Sequence, residues 1–141
     1  MKVNLGCGSN IVSGYINVDI NPLDDSVLQC DFEKDKLPFD DNSIDELQAI
    51  DVLEHINNLI PFLNECYRVL KDSGKFYIEV PKFPSDAAIA DPTHVRYFVN
   101  ESFKYIGKYE NVQIMYKIQP WKLGSLSNND SNNRIYVRLD K

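Results

Sequence analysis

A chain of 141 residues, 43% apolar and 26% charged, fits one soluble domain and excludes collagen-like, low-complexity and wholly disordered classes. Its net charge of −6 is uneven: residues 1–54 hold 12 acids against 3 bases, and residues 55–141 hold 9 against 12. The first half is thus the reverse of a basic stripe, which argues against nucleic acid as a partner, and no apolar run reaches the ~18 residues of a membrane span.

Met1 or Lys2 to Leu5 reads as a short strand that breaks at Gly6-Cys7-Gly8. Tyr15 to Ile20 and Val27 to Phe32 are two more, and Ile44 to Ile50 is a fourth, introduced by the turn-like Asp40-Asp41-Asn42-Ser43. Then the period changes. Leu59, Phe62, Leu63, Cys66, Tyr67 and Leu70 recur at three- and four-residue steps, which predicts a helix opened near Asn58, with Pro61 in its first turn, and closed by Gly74. Lys75 to Val80 is a fifth strand, followed by a long loop with Pro84 and Pro92. Asn100 is placed to cap a helix through Ile106, ended by Gly107. Val112 to Ile118 and Arg134 to Leu139 are expected to close the chain as an antiparallel strand pair joined by the polar run Ser125 to Asn133.

Seven strands, with helices concentrated in the second half, predict an α/β fold. Six residues separate Ile20 from Val27. A crossover helix takes a dozen or more, so parallel return here is by extended loop. One sheet face near the N-terminus is therefore expected to be thinly covered, either shielded by loops or used as a contact between copies of the chain.

Chemistry is concentrated at strand ends. Gly6 and Gly8 leave the first strand, and glycine there lets a ligand approach the backbone. Asp19 ends the second strand, where a carboxylate can accept two ribose hydroxyls, and Asp31-Phe32 end the third. A nicotinamide dinucleotide fingerprint fails, because Ile11 stands where Gly or Ala is needed and Asp19 follows Gly8 by only eleven residues. Cys7, Cys30 and Cys66 form no C-x-x-C pair and suit reduced thiols; with two histidines they do not supply zinc spacing, so no metal is expected. With no signal peptide at Met1-Lys2-Val3-Asn4, the expected location is cytoplasmic.

Together, V-N-L-G-C-G at Val3 to Gly8, N-V-D-I at Asn17 to Ile20, the segment Leu37 to His55 ending L-E-H, R-V-L-K-D-S-G-K-F-Y-I-E-V-P at Arg68 to Pro81 and D-P-T-H-V-R-Y-F at Asp91 to Phe98 carry a likeness. The chain resembles the S-adenosylmethionine-dependent methyltransferases over nearly its whole length. The resemblance implies a Rossmann-like, mostly parallel seven-stranded sheet with an antiparallel C-terminal hairpin, in one domain over residues 1–141, binding S-adenosyl-L-methionine. Gly6, Cys7 and Gly8 would pass beneath the methionine portion, Asp19 beside Ile20 would hold the ribose, and Asp31 with Phe32 would meet the adenine. Ala49 to Leu53, with Ile50, Asp51 and Leu53, would line the methionine side. Asn4 stands where the family more often has an acid, and Asn10 where it has a third glycine.

Methyl transfer is an in-line displacement, and an oxygen or nitrogen acceptor can need a general base. His55 follows the fourth strand on the side where the methyl would point, and His94 lies in the Pro-bounded loop. Either can instead be structural, His55 beside the next helix and His94 through Asp91. Arg96 can clamp an anionic acceptor or pair with a carboxylate, and Tyr97, Tyr105, Tyr116 and Trp121 can wall a pocket or pack. The expected activity is methylation of a small-molecule or sugar-like acceptor; the alternative is an inactive S-adenosylmethionine-binding regulatory or scaffolding subunit.

Overall fold

A computed structural model describes residues 1–129 and 131–141, so Asp130, within the polar run, lies outside the described residues. Seven strands form one sheet in the order β3-β2-β1-β4-β5-β7-β6. They are β1 (Lys2–Leu5), β2 (Ile16–Asp19), β3 (Val27–Gln29), β4 (Ile44–Ile50), β5 (Leu70–Pro81), β6 (Lys122–Asn129) and β7 (Arg134–Asp140). The first five run parallel, and β7 pairs antiparallel with both β5 and β6. The helices are α1 (Leu59–Val69), α2 (Asp86–Ile89), α3 (Asn100–Gly107) and α4 (Glu110–Tyr116), with one 3-10 turn at Leu53–His55.

No helix separates β1, β2 and β3, as the short connections required. Alternation along the strands then sorts the two faces. Leu47, Ala49, Phe76, Ile78, Val137 and Leu139 point to one face and join Phe62, Leu63 and Cys66 of α1 and Phe103 and Ile106 of α3 in a single buried cluster. On the other face Asn4, Asn17 and Gln48 are roofed by the loop after β1: Asn4 Nδ2 donates to Asn10 O at 3.0 Å and Asn17 Oδ1 accepts from Val12 N at 3.0 Å. Beyond that roof the face is open, and Tyr77 of β5 is exposed there.

Four boundaries differ from the sequence expectation. Helix α1 stops at Val69, because Leu70 turns extended and pairs with Ile44 at the start of a longer β5. Leu70 is fully buried in the strand, so its apolarity fitted a helical continuation equally well. β3 ends at Gln29, since Cys30 N makes the last bond to Asp19 O and Asp31 begins a turn, its carbonyl accepting from Lys34 N and Asp35 N. Val99, not Asn100, is the cap of α3; its N–H donates to Ser102 Oγ at 3.1 Å. The loop with Pro84 and Pro92 also contains α2, capped by Ser85, whose Oγ accepts from Ala88 N.

The largest correction is at the C-terminal hairpin. Residues 112–118, expected as a strand, lie mostly in α4, and the partner of β7 is β6. Gln113 is buried and its amide donates to Ile106 O at 2.6 Å and Trp121 O at 2.9 Å, while Ile114, Met115 and Tyr116 face solvent. The apolar alternation there marks no buried strand face. Edge strand β6 is polar and mostly exposed, so it carries no apolar alternation to announce it.

Candidate functional site at the strand-order switch

The chain lays β2 and β3 on one side of β1, then crosses to β4 on the other. In open α/β sheets such a reversal leaves a crevice beyond the carboxyl ends of the strands. A cleft of about 260 Å³ opens there, and Gly6, Asp19, Ile20, Asp31, Phe32, Asp51 and His55 all line it. Five separate stretches of the sequence are thus brought to one place.

Gly6 has φ +62°, and a Cβ on it would stand 2.5 Å from Val52 Cγ2, so neither the turn nor the space admits a side chain. Gly8 also turns left-handed, and its N–H donates to Asp19 Oδ2 at 2.7 Å. Asn21 N donates to the other oxygen, Oδ1, at 2.9 Å. A carboxylate has about four acceptor positions, so Asp19 keeps capacity for two hydroxyls while anchoring the glycine loop. Asp31 accepts from Glu33 N at 3.0 Å and from Lys34 Nζ at 2.6 Å, and the Lys34 contact holds its carboxyl below the ordinary value. Phe32 packs its ring against Phe62, centroids 5.5 Å apart, and offers an apolar wall. Asp51 has φ +54° and pairs with Arg134 at 2.5 Å.

Four other expected residues sit elsewhere. Asn4 is buried under the loop and accepts from Gln48 Nε2 at 3.0 Å. Leu53 belongs to the core, and Ile50 lines a shallow depression with Tyr77 and Tyr136 on the other face. Cys7 is buried, which pushes its thiol up, and it acts as a small spacer between the glycines. Val52, within the expected Ala49 to Leu53, lines the cleft, and Glu33 and Ile56 line it without having been singled out; Glu33 accepts from Asn58 Nδ2 at 2.9 Å and ties the third strand end to the start of α1.

His55 and His94, 39 positions apart, meet with ring centroids 4.7 Å apart. Their tautomers follow from their partners. Thr93 Oγ1 lies 2.6 Å from Asp91 Oδ1 and 3.0 Å from His55 Nδ1. A carboxylate only accepts, so the hydroxyl donates to Asp91 and must accept from His55 Nδ1–H. His94 Nδ1 lies 2.7 Å from Ala88 O, so it also carries the proton. In the neutral imidazoles the lone pair therefore sits on each Nε2. Beside them Glu54 is 1% exposed, and neither carboxylate oxygen has a hydrogen-bond donor. Burial, reinforced by Asp51, pushes the Glu54 carboxyl well above its ordinary value.

Arg96 is spent on the backbone: its Nε and one terminal nitrogen reach Ile56 O at 3.0 and 2.7 Å, and that nitrogen reaches Asn57 O at 2.7 Å. It straps the histidine loop to the segment ahead of α1. Tyr97 stacks on Phe83 at 5.5 Å, and with Arg96 and Phe98 it lines a neighbouring cleft of about 460 Å³. Trp121 is core, packed edge-on to Tyr67, whereas Tyr105 and Tyr116 lie on the surface.

A family model described as a methyltransferase domain matches residues 3–78, more than half of the chain and every strand end of the crevice. The chain belongs to that family. An uncharacterized protein of Methanocaldococcus jannaschii is 50% identical over 44 residues, which is 31% of this chain and 19% of that protein. A Mycolicibacterium smegmatis protein named "Probable S-adenosylmethionine-dependent methyltransferase" is 32% identical over 65 residues, 43% of this chain and 25% of that protein. The matches thus span a quarter or less of these curated relatives' length. Among solved structures, a SAM-dependent methyltransferase from Archaeoglobus fulgidus superposes with a TM-score of 0.68 at 19% identity, covering 99% of this chain and 85% of that one. The Haloferax volcanii complex of the Trm112 methyltransferase activator with a methyltransferase gives 0.70 at 14%, covering 99% and 81%. These likenesses show the Rossmann-like methyltransferase fold, and the family's cofactor is S-adenosylmethionine.

Proposed function

We propose that this methyltransferase-family chain transfers a methyl group from S-adenosylmethionine to an oxygen or nitrogen of a small-molecule or sugar-like acceptor. The observation that carries the reading is the crevice itself, where Gly6, Asp19, Asp31 and Phe32 line one cleft at the strand-order switch. The residues fit the cofactor: an open glycine loop for the methionine part, spare acceptor capacity on Asp19 for the ribose, and an acid beside an apolar ring for the adenine. The cofactor supplies a methyl group on a sulfonium, whose bond to sulfur breaks as the bond to the acceptor forms, leaving a neutral thioether.

What the chain contributes is position. The Asp19 tether to Gly8 holds the glycine loop open, and Arg96 fixes the loop that presents His94. His55 lines the cleft, and the neutral ring that bonds Thr93 through Nδ1 carries its lone pair on Nε2, which can take the acceptor's proton. A cleft of about 260 Å³ is below the ~300–1,000 Å³ of most small-molecule sites, so the cofactor would stay partly open to solvent.

That openness favours a second reading, a cofactor-binding subunit that needs a partner chain for activity. The assay that separates them is formation of S-adenosylhomocysteine from S-adenosylmethionine across hydroxyl and amine acceptors. Turnover above the acceptor-free rate supports the enzyme; tight cofactor binding with none supports the subunit. Self-association through the open sheet face belongs to the same proposal, and sedimentation of wild type against Tyr136→Lys reads it.

A further inference from the structure

We propose that Glu54, His55 and His94 bind a divalent first-row transition cation beside the cofactor cleft. One donor atom from each lies within 4.8 Å of the other two. Ligands of such an ion stand ~3.3 Å apart at metal–ligand bonds of ~2.1 Å, so side-chain rotations of about 1 Å close the set. Two imidazoles and one carboxylate are a donor set these ions favour, and three protein ligands leave positions for water or an acceptor oxygen. With the ion bound, His55 is a ligand and no longer a base, and the ion itself would lower the acceptor's pKa.

Two independent features of the site point to a cation. Glu54 is almost wholly buried, and neither oxygen has a donor to satisfy it. Each histidine gives its Nδ1 proton to a fixed acceptor, His55 to Thr93 Oγ1 at 3.0 Å and His94 to Ala88 O at 2.7 Å. This is how outer partners orient a metal-binding imidazole, whose neutral form then offers Nε2 as the ligand atom. His94 Nε2 also lies 3.9 Å from Asp91 Oδ2, an ion-pair distance when that imidazole is protonated, so a cation and a proton would compete for the same nitrogen. Asp91 in turn fixes the Thr93 hydroxyl that orients His55.

The site is tested on the full chain without cofactor or acceptor, so failure here leaves the methyl-transfer reading standing. Chelator-stripped protein is titrated by calorimetry with ZnCl2 and separately with MnCl2. We expect one ion per chain at micromolar affinity or better for at least one metal, weakened tenfold or more by Glu54→Gln and by His94→Ala. A second measurement needs no variant. The chain has two histidines, so every imidazole ring-proton signal belongs to the site. Substoichiometric Mn2+ is expected to broaden both histidines' signals. No stoichiometric binding by folded wild type, imidazole signals that Mn2+ leaves sharp, or binding unchanged in both variants overturns the proposal.

Discussion

Gly6 shows how much rests on a single hydrogen atom. Its φ of +62° and the 2.5 Å from an added Cβ to Val52 Cγ2 mean that Gly6→Ala must both strain the turn and displace the residue after Asp51. Left-handed backbone costs a non-glycine residue about 1–2 kcal/mol, and the clash adds to it. We expect Gly6→Ala to lose about 2 kcal/mol in urea unfolding and to weaken cofactor binding; an unchanged unfolding midpoint would contradict the close approach. The strand-end acids and glycines were legible in sequence because each sits where an apolar run stops. Glu54 was not, because an acid in the middle of V-L-E-H reads as exposed until the 3-10 turn at Leu53–His55 folds it inward. The meeting of His55 with His94 was hidden too, since it depends on how the loop after β5 returns.

At the scale of elements, Arg96 ties the loop bearing His94 to the segment ahead of α1 through three hydrogen bonds to Ile56 O and Asn57 O. Hydrogen bonds from a charged donor contribute about 1.5–3 kcal/mol each when both partners are shielded, and less where exposed. Arg96→Ala is therefore expected to lower stability by about 2 kcal/mol and to raise hydrogen exchange at Val95, whose N–H bonds Glu54 O at 2.9 Å. A change confined to acceptor affinity would instead favour an anion clamp. The parallel strands, α1 and the loop crossovers were readable from period and connection length. The switch of 112–118 to helix was not, since exposed Ile114 and Met115 carry no burial signal and the true hairpin strand, Lys122–Asn129, is a polar edge.

For the whole molecule, a sheet clothed by helices on one face concentrates the core in a single layer, and that layer contains Cys66 and Cys30. Burial raises both thiols, Cys30 to about 11 and Cys66 well above its ordinary value. Tyr15, bonded to Glu46, is raised to about 12. The folded state thus keeps these groups neutral, while the unfolded chain ionises thiols near pH ~8.5 and tyrosine near ~10. Their contribution is complete below about pH 8.5 and is lost as pH climbs through the folded values. The urea midpoint is expected to fall between about pH 8 and about pH 10.5, and a flat midpoint would contradict neutral burial.

The crevice at the β1–β4 switch is the centre of the account, and Asp19 is where loop and ligand share one carboxylate. The direct measurement is calorimetric titration of wild type and Asp19→Ala with S-adenosylmethionine and S-adenosylhomocysteine. Micromolar binding that weakens tenfold or more in the variant, about 1.4 kcal/mol or greater, is the predicted result. Well-folded wild type that binds neither ligand, or a variant that binds both as tightly, would contradict it.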